Sequence, residues 1–319
     1  MSEFNLIKQH FTRATPNTIL GVGDDAALIS ITTGMELAVS ADMLVANTHF
    51  FADCDAFKLG WKSLAVNISD MAAMGANPKW TTLAIALPNI NNTWLNEFST
   101  GFFACAKVFN VDLIGGDTTR GPLTISVQIM GEIPIGKAIK RSGAKVGDEI
   151  WVSGNLGNAA IALAHIQGKI RLPELVFATC AKALHTPQPR IDLGIALRNL
   201  VNSAIDISDG LVADLGHILE QSKVGALVQL NKIPLTQFDG FKIDLRDINF
   251  LNMILAGGDD YELCFTAPKD NHLKILTLAK TLKIPLSSIG YITANTDLII
   301  HGLDSEILDF KETGFDHFN

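Results

Sequence analysis

The sequence predicts an α+β fold in two domains, and three observations carry that expectation. The first 131 residues alternate strand-like and helix-like stretches and close on two successive strands, the pattern of a sheet with helices on one face. A long helix inside that half is apolar almost all round, as a buried helix reads. From Pro134 to Gly147 the composition then shifts to Gly, Lys and Arg, which marks a boundary in an otherwise acidic chain.

Taken in order, residues 3–13 read as a short amphipathic helix. Residues 19–28 (ILGVGDDAAL) contain a loose G-x-G-x-x-A pattern. Two consecutive carboxylates there would repel a pyrophosphate, and no strand–turn–helix follows. Glu36 to Ser40 (ELAVS) reads as a strand that ends at Asp42. Trp61 to Pro78 (WKSLAVNISDMAAMGANP) reads as one helix, rich in Ala, Leu and Met. Pro78 is expected to end it, because the residue before a proline avoids helical geometry. One polar stripe interrupts it: Ser63, Asn67 and Asp70, spaced i, i+4, i+7 on a single face. A carboxylate there needs a partner. A capping or core hydrogen bond and a metal ligand are the two readings.

Trp80 to Leu87 reads as a strand, residues 93–109 as a helix, and Val111 to Ile114 as a strand running into a glycine-rich turn, GGDTTRG, closed by Arg120. Leu123 to Gly131 is the last strand before the boundary. Beyond it come a strand at 149–153, helices at 158–167, 174–184 and 189–200, and SAIDISDG at 203–210 leading into a helix to about 221. Residues 228–230 read as a strand, 253–265 as a turn feeding a strand, 271–283 as a helix, and 286–301 as short strands.

Composition narrows the function. Hydrophobic residues make up 48% and charged residues 18%, which fits a well-buried globular protein rather than a disordered one. The net charge of −8 argues against nucleic acid as a partner. The four cysteines form no CxxC pair, so reduced thiols in a cytoplasmic protein are expected, not zinc or disulfides. The polar N-terminus and the lack of eighteen consecutive apolar residues argue against a signal peptide and a membrane partner.

One pattern recurs: an apolar run, a small residue, then Asp. It occurs at Asp42, Asp70, Asp117, Asp206 with Asp209, and Asp259 with Asp260, and Asp24 with Asp25 belongs beside it. A single such Asp is often a turn residue. Several together make a hard-oxygen surface, and Mg²⁺ prefers such ligands and bridges them to substrate phosphates. Phosphoryl transfer is mostly positioning and charge neutralisation. Arg120, Lys140 and Arg141 are the cations near these stretches. No G-x-x-x-x-G-K-[ST], HRD or DFG set, G-x-S-x-G or HExxH occurs. His49 and His185 are candidate bases, although a lone His is more often structural.

These residues together resemble the thiamine-monophosphate kinase family, within the superfamily of aminoimidazole-ribonucleotide synthetase and selenophosphate synthetase. The matching stretches are GVGDDAAL at 21–28, SAD at 40–42, NTHF at 47–50, AVNISDMAAMGANP at 65–78, GGDTTRGPL at 115–123, RSGAKVGD at 141–148, SAIDISDGL at 203–211, GGDDYELCF at 257–265 and FDHF at 315–318. The resemblance implies an N-terminal domain over residues 1–137 that binds metal and nucleotide and pairs its sheet with a second subunit's into a barrel. It implies a C-terminal α/β domain over residues 138–319. It implies ATP as co-substrate, several Mg²⁺ ions, thiamine monophosphate as acceptor, and a homodimer.

The implied metal ligands are Asp25, Ser40, Ala41, Asp42, Asp70, Asp117, Asp206 and Asp209, with Asp42, Asp70, Asp117 and Asp206 at the centre of catalysis. Gly116, Asp117, Arg141 and Ser208 are the implied nucleotide contacts, and His49, Asp259 and Phe315 the substrate contacts. Asp259 stands where the family usually has Glu, Ala41 where a hydroxyl residue is common, and Phe315 where Trp or Tyr is usual. The alternative is a sister synthetase acting on another acceptor. A reactive N-terminal Cys would mark selenophosphate synthetase, and the first Cys here is Cys54.

Overall fold

A computed structural model of the protein describes residues 3–312, 314 and 315. Residues 316–318 of the FDHF stretch lie outside the described residues. The chain divides into two compact units, Met1–Met71 with Ala76–Gly136, and Ala72–Gly75 with Lys137–Asn319.

The first unit contains α1 (Glu3–His10), β1 (Met35–Val45), α2 (Ala56–Ala73), β2 (Asn77–Leu87), α3 (Asn92–Phe109), β3 (Asp112–Arg120) and β4 (Thr124–Pro134). Its four-stranded sheet has the order β1-β4-β2-β3. β4 runs antiparallel to β1 and β2, while β2 and β3 are parallel. A parallel pair needs a long crossover, and α3 supplies it. The strands alternate as a half-covered sheet should. Leu83, Ile85, Ile125, Val127 and Ile129 are buried, as are Leu64, Ile68 and Met71 of α2 and Phe98 and Phe102 of α3. Each such apolar side chain contributes about 1.5–3 kcal/mol by leaving water. On β1 the alternation leaves Leu37, Val39 and Met43 exposed, at 38%, 52% and 55%.

Two expectations are corrected here. The predicted 61–78 helix is α2, which starts five residues earlier and stops at Ala73. Gly75 turns the backbone left-handed (φ +66°), and Pro78 already belongs to β2. Glycine, not proline, ends this helix. The glycine-rich turn at 115–121 is not a turn up to Arg120, since Gly115 to Arg120 continue β3. Its register against β2 slips between Thr81 and Thr82, which pair with Leu113 and Gly115 and leave Ile114 as an extra residue.

The second unit contains β5 (Glu149–Ser153), α4 (Asn158–Ile166), α5 (Glu174–His185), α6 (Ile191–Leu197), β6 (Ser203–Asp206), α7 (Leu211–Ser222), β7 (Gly225–Gln229), α8 (Ile248–Leu255), β8 (Leu263–Ala267), α9 (His272–Leu282), β9 (Leu286–Thr293) and β10 (Leu298–His301). The six-stranded sheet has the order β10-β7-β9-β5-β8-β6, and only β7 and β10 pair in parallel. Its core runs from Ile150 and Val152 through α4 and α7 to Ile289 and Ile292. Here the expected turn at 253–265 is corrected: its first residues end α8, and only 256–262 are loop. The helix begins at an Asp247 cap that accepts from the Asn249 backbone N–H at 2.9 Å.

Candidate functional site

In the first unit the polar stripe of α2 lies against β1. Ser63 donates to the Gly60 carbonyl within the helix, at 2.9 Å, and Asn67 Nδ2 donates to the Ser63 carbonyl at 3.0 Å. Asn67 Oδ1 accepts the backbone N–H of Asp42 at 3.0 Å. Ser40 Oγ donates to Asp70 Oδ2 at 2.6 Å. Thus Ser40, Asp42 and Asp70 come together, and Asn67, which the sequence placed on the stripe without a role, holds the strand to the helix. Asp42 and Asp70 are only half-buried, while most of α2 around them is closed to water.

The other candidates of this unit lie apart. Asp25 is exposed, its N–H bonded to Asp24 Oδ1 at 3.0 Å, in a segment whose ends meet where Leu28 N donates to the Leu20 carbonyl at 2.8 Å. Ala41 alternates to the opposite face of β1 from Ser40 and Asp42. Asp117 sits on β3, at the far edge of the sheet, three strand spacings or about 14 Å from β1. It aligns through Ala84 and Ser126 with Met43, so it shares the open face of the sheet. Gly116 has φ +152°, and a Cβ there would stand 1.8 Å from the Leu83 carbonyl oxygen. Packing against β2 alone therefore demands this glycine. His49 Nδ1 accepts from Val45 N at 3.0 Å, which puts the proton of the neutral ring on Nε2.

In the second unit two loops run side by side beyond the ends of β6 and β8. Ile207 N donates to the Glu262 carbonyl, Tyr261 N to the Ile207 carbonyl and Asp259 N to the Ser208 carbonyl, each at 2.8 Å. Phe315 N reaches the Asp209 carbonyl at 3.1 Å. Ser208, Asp209, Asp259 and Phe315 are thereby brought into one place, with Asp206 buried at the end of β6. Arg141 is exposed on the segment between β4 and β5.

Three carboxylates here escaped the sequence reading or were misread by it. Asp214 Oδ2 accepts the N–H groups of Ser208, Asp209 and Gly210 at 3.0, 3.0 and 3.1 Å. Burial and the charge of Asp209 push its carboxyl up to about 7, against the pull of those amides. Asp260, grouped by sequence with the hard-oxygen surface, instead accepts Gly157 N at the start of α4 with both oxygens, at 2.9 and 3.1 Å. Burial drives its carboxyl well above the usual range. Glu262 is buried against Ser153 and Arg190. Burial opposes the Arg190 charge, but Glu262 outweighs it and raises the guanidinium further. The only sequence signal for Asp214 was an acidic residue on the buried side of α7.

The donors offered by Ser40, Asp42 and Asp70 are hard oxygens, the set that suits Mg²⁺. Among the described residues no group of three or more His, Cys, Asp or Glu stands ready to hold a metal. Mg²⁺ keeps several waters and shares one or two carboxylates with phosphates, so such a donor set fits it without a closed cage. Also among the described residues, no helix is long and apolar enough to cross a membrane.

Comparison with known proteins follows the same division. Residues 23–133 match the family described as AIR synthase related protein, N-terminal domain, and residues 145–302 match its C-terminal domain. The chain is similar to the thiamine-monophosphate kinase of Escherichia coli K12, with 43% identity over 99% of this chain and 98% of that one. It is 32% identical to the Bacillus subtilis thiamine-monophosphate kinase over the full length of both. Among solved structures, the thiamine-monophosphate kinase of Stenotrophomonas maltophilia K279a superposes with a TM-score of 0.84 at 41% identity, covering 96% of each chain. AaThiL complexed with AMPPCP and TMP gives 0.77 at 25% identity, covering 99% of this chain and 96% of that one.

Proposed function

The chain belongs to the thiamine-monophosphate kinase family, and on that premise we propose that it transfers the γ-phosphoryl of ATP directly to the phosphate of thiamine monophosphate, giving thiamine diphosphate and ADP. The observation that carries the reading is the contact of β1 with α2, where the Ser40 hydroxyl meets the Asp70 carboxylate and Asn67 ties the backbone of Asp42 to the same helix. The attacking group is a phosphate oxygen, already anionic at neutral pH, so the reaction needs no general base. What it needs is alignment and neutralisation. Asp42 and Asp70, with the Ser40 hydroxyl, would hold one Mg²⁺; Asp25, Asp117 and the Ala41 carbonyl in the first unit, and Asp206 and Asp209 in the second, would offer oxygens to further Mg²⁺ ions. When bound, Mg²⁺ supplies the positive charge that lets two polyanions meet. Asn67 keeps β1 and α2 in register. Gly116, Asp117, Arg141 and Ser208 contact the nucleotide, and His49, Asp259 and Phe315 the acceptor. Asp214 fixes the loop that carries Ser208 and Asp209.

In the same reading residues 1–137 carry the metal-binding and dimer-forming role, and residues 138–319 form the α/β domain. A second copy covers the open face of the first sheet, where Leu37, Val39 and Met43 are exposed and where Asp117 also lies. Sedimentation at micromolar concentration should give a homodimer, and a monomer there would end this part of the proposal. The four free thiols, three of them buried, fit a reducing compartment and support a cytoplasmic location.

The deciding experiment compares ADP release at saturating ATP and Mg²⁺ with thiamine monophosphate and with thiamine. The phosphorylated acceptor should turn over and the free alcohol should not. A free alcohol brings no phosphate to be aligned, and alignment is worth about 7–11 kcal/mol of a barrier. Equal turnover with thiamine would defeat the acceptor assignment, and turnover persisting in excess EDTA would defeat the metal mechanism.

A further inference from the structure

The loop at 257–262 carries three acidic residues, and the fold uses them differently. Asp260 is taken up by Gly157 N and Glu262 by Arg190 and Ser153. Asp259 has φ +67°, and Tyr261, two residues on, has φ +50°. Two left-handed non-glycine residues within three positions carry strain, which persists only where the surroundings over-determine the backbone. The surroundings here are specific. Arg190 forks onto Glu262, with Nε at 2.7 Å from Oε2 and Nη2 on Oε1. Ser153 Oγ donates to Glu262 Oε2 at 2.5 Å and accepts Leu263 N at 2.8 Å. The Glu262 carbonyl in turn accepts Ile207 N, and the Tyr261 hydroxyl donates to Asp259 Oδ1 at 3.1 Å.

We propose that Arg190 is a positioning residue for the acceptor: its fork onto Glu262 locks the backbone of 259–262 and so aims the carboxylate of Asp259. This rests on the reading that Asp259 meets the acceptor. Stability alone does not call for such a pair. Replacing a buried ion pair by apolar groups of similar volume is often neutral or stabilising. A planar two-point fork fixes direction, which an apolar contact or a lysine cannot do. Arg190 also enters from the segment just before α6, remote in sequence from the loop it holds, so no motif around 257–265 reveals it.

The test uses the full chain in two variants, Arg190→Lys and the double replacement Arg190→Met with Glu262→Leu. Amide hydrogen exchange at Asp259 and Tyr261, measured without substrates, should speed up about tenfold in both, because exchange there reads how readily this loop opens locally. The KM for thiamine monophosphate should rise by a similar factor, while the KM for ATP stays within about twofold. Wild-type protection at both amides in the folded double variant would overturn the proposal. So would a parallel rise of both KM values, which a merely structural role would give. If Arg190→Lys does not fold, the double variant decides alone, because it leaves no buried charge unpaired. If the wild-type protein ignores thiamine monophosphate, the acceptor reading fails, and amide exchange still tells whether Arg190 fixes this loop.

Discussion

The β1–α2 contact and the paired loops of the second unit use their carboxylates in opposite ways. At β1 and α2, the Asp residues that follow apolar runs stay half-exposed, and the contacts around them come from a serine hydroxyl and an asparagine amide. In the second unit, Asp214 and Asp260 turn inward and spend their oxygens on backbone N–H groups, three for Asp214 and the helix-start amide for Asp260. A carboxylate can thus be a strut, buried on backbone N–H groups, or stand half-exposed where the proposed ligand role is open to it. Ligands should govern turnover, and struts should govern stability.

The largest expected effect tests the ligand half. Asp70→Asn keeps the volume and can still accept the Ser40 hydroxyl, so the fold should survive. Turnover should fall on the order of 10²–10³-fold or more, the scale of losing one preorganised electrostatic group. Steady-state kinetics beside a thermal melt separates the two, and near-normal activity would move Asp70 among the struts. Gly116→Ala should come next. It drives a Cβ into the Leu83 carbonyl and should cost about 3 kcal/mol of stability, read by urea unfolding. A variant as stable as wild type would overturn the packing argument.

Asp260→Ala tests the strut half. It leaves Gly157 N buried without its acceptor and should destabilise the second unit by about 2 kcal/mol. Activity per folded molecule should hold far better than in Asp70→Asn. The smallest effect concerns a strut of the first unit, Glu132, which accepts Thr32 N at 2.7 Å and pairs with Lys79 at 2.6 Å. Burial alone would raise its carboxyl, but the Lys79 and Thr32 bonds outweigh burial and hold it below its usual range. A depressed folded pKa stabilises above the unfolded pKa and is lost as pH falls through the folded one. Glu132→Gln should therefore cost about 1–2 kcal/mol at neutral pH, and the gap to wild type should close as acid takes the carboxyl through its lowered folded range. Chemical denaturation across pH checks this, and a gap that persists at low pH would remove the charge argument.

Much of this was legible in the linear chain. The pleat and helix periods placed every strand of the first sheet and most helices, because burial of one face repeats every two or every 3.6 residues. The stripe Ser63, Asn67, Asp70 was readable for the same reason, and the family stretches named the candidate ligands. Helix ends were less legible, as α2 shows: the residue that stops it is Gly75, three before the proline that seemed to. Local pattern does not say which of two breakers acts first. Tertiary structure alone decided the rest. It set Asp117 on the edge of the sheet opposite Ser40 and Asp42, because strand order depends on crossovers that periodicity does not record. It turned Asp260 into a helix cap 103 residues from its partner Gly157, and joined Arg190 to Glu262 across 72. A carboxylate's role depends on which amides and cations the fold brings to it, and those partners lie far away in the chain.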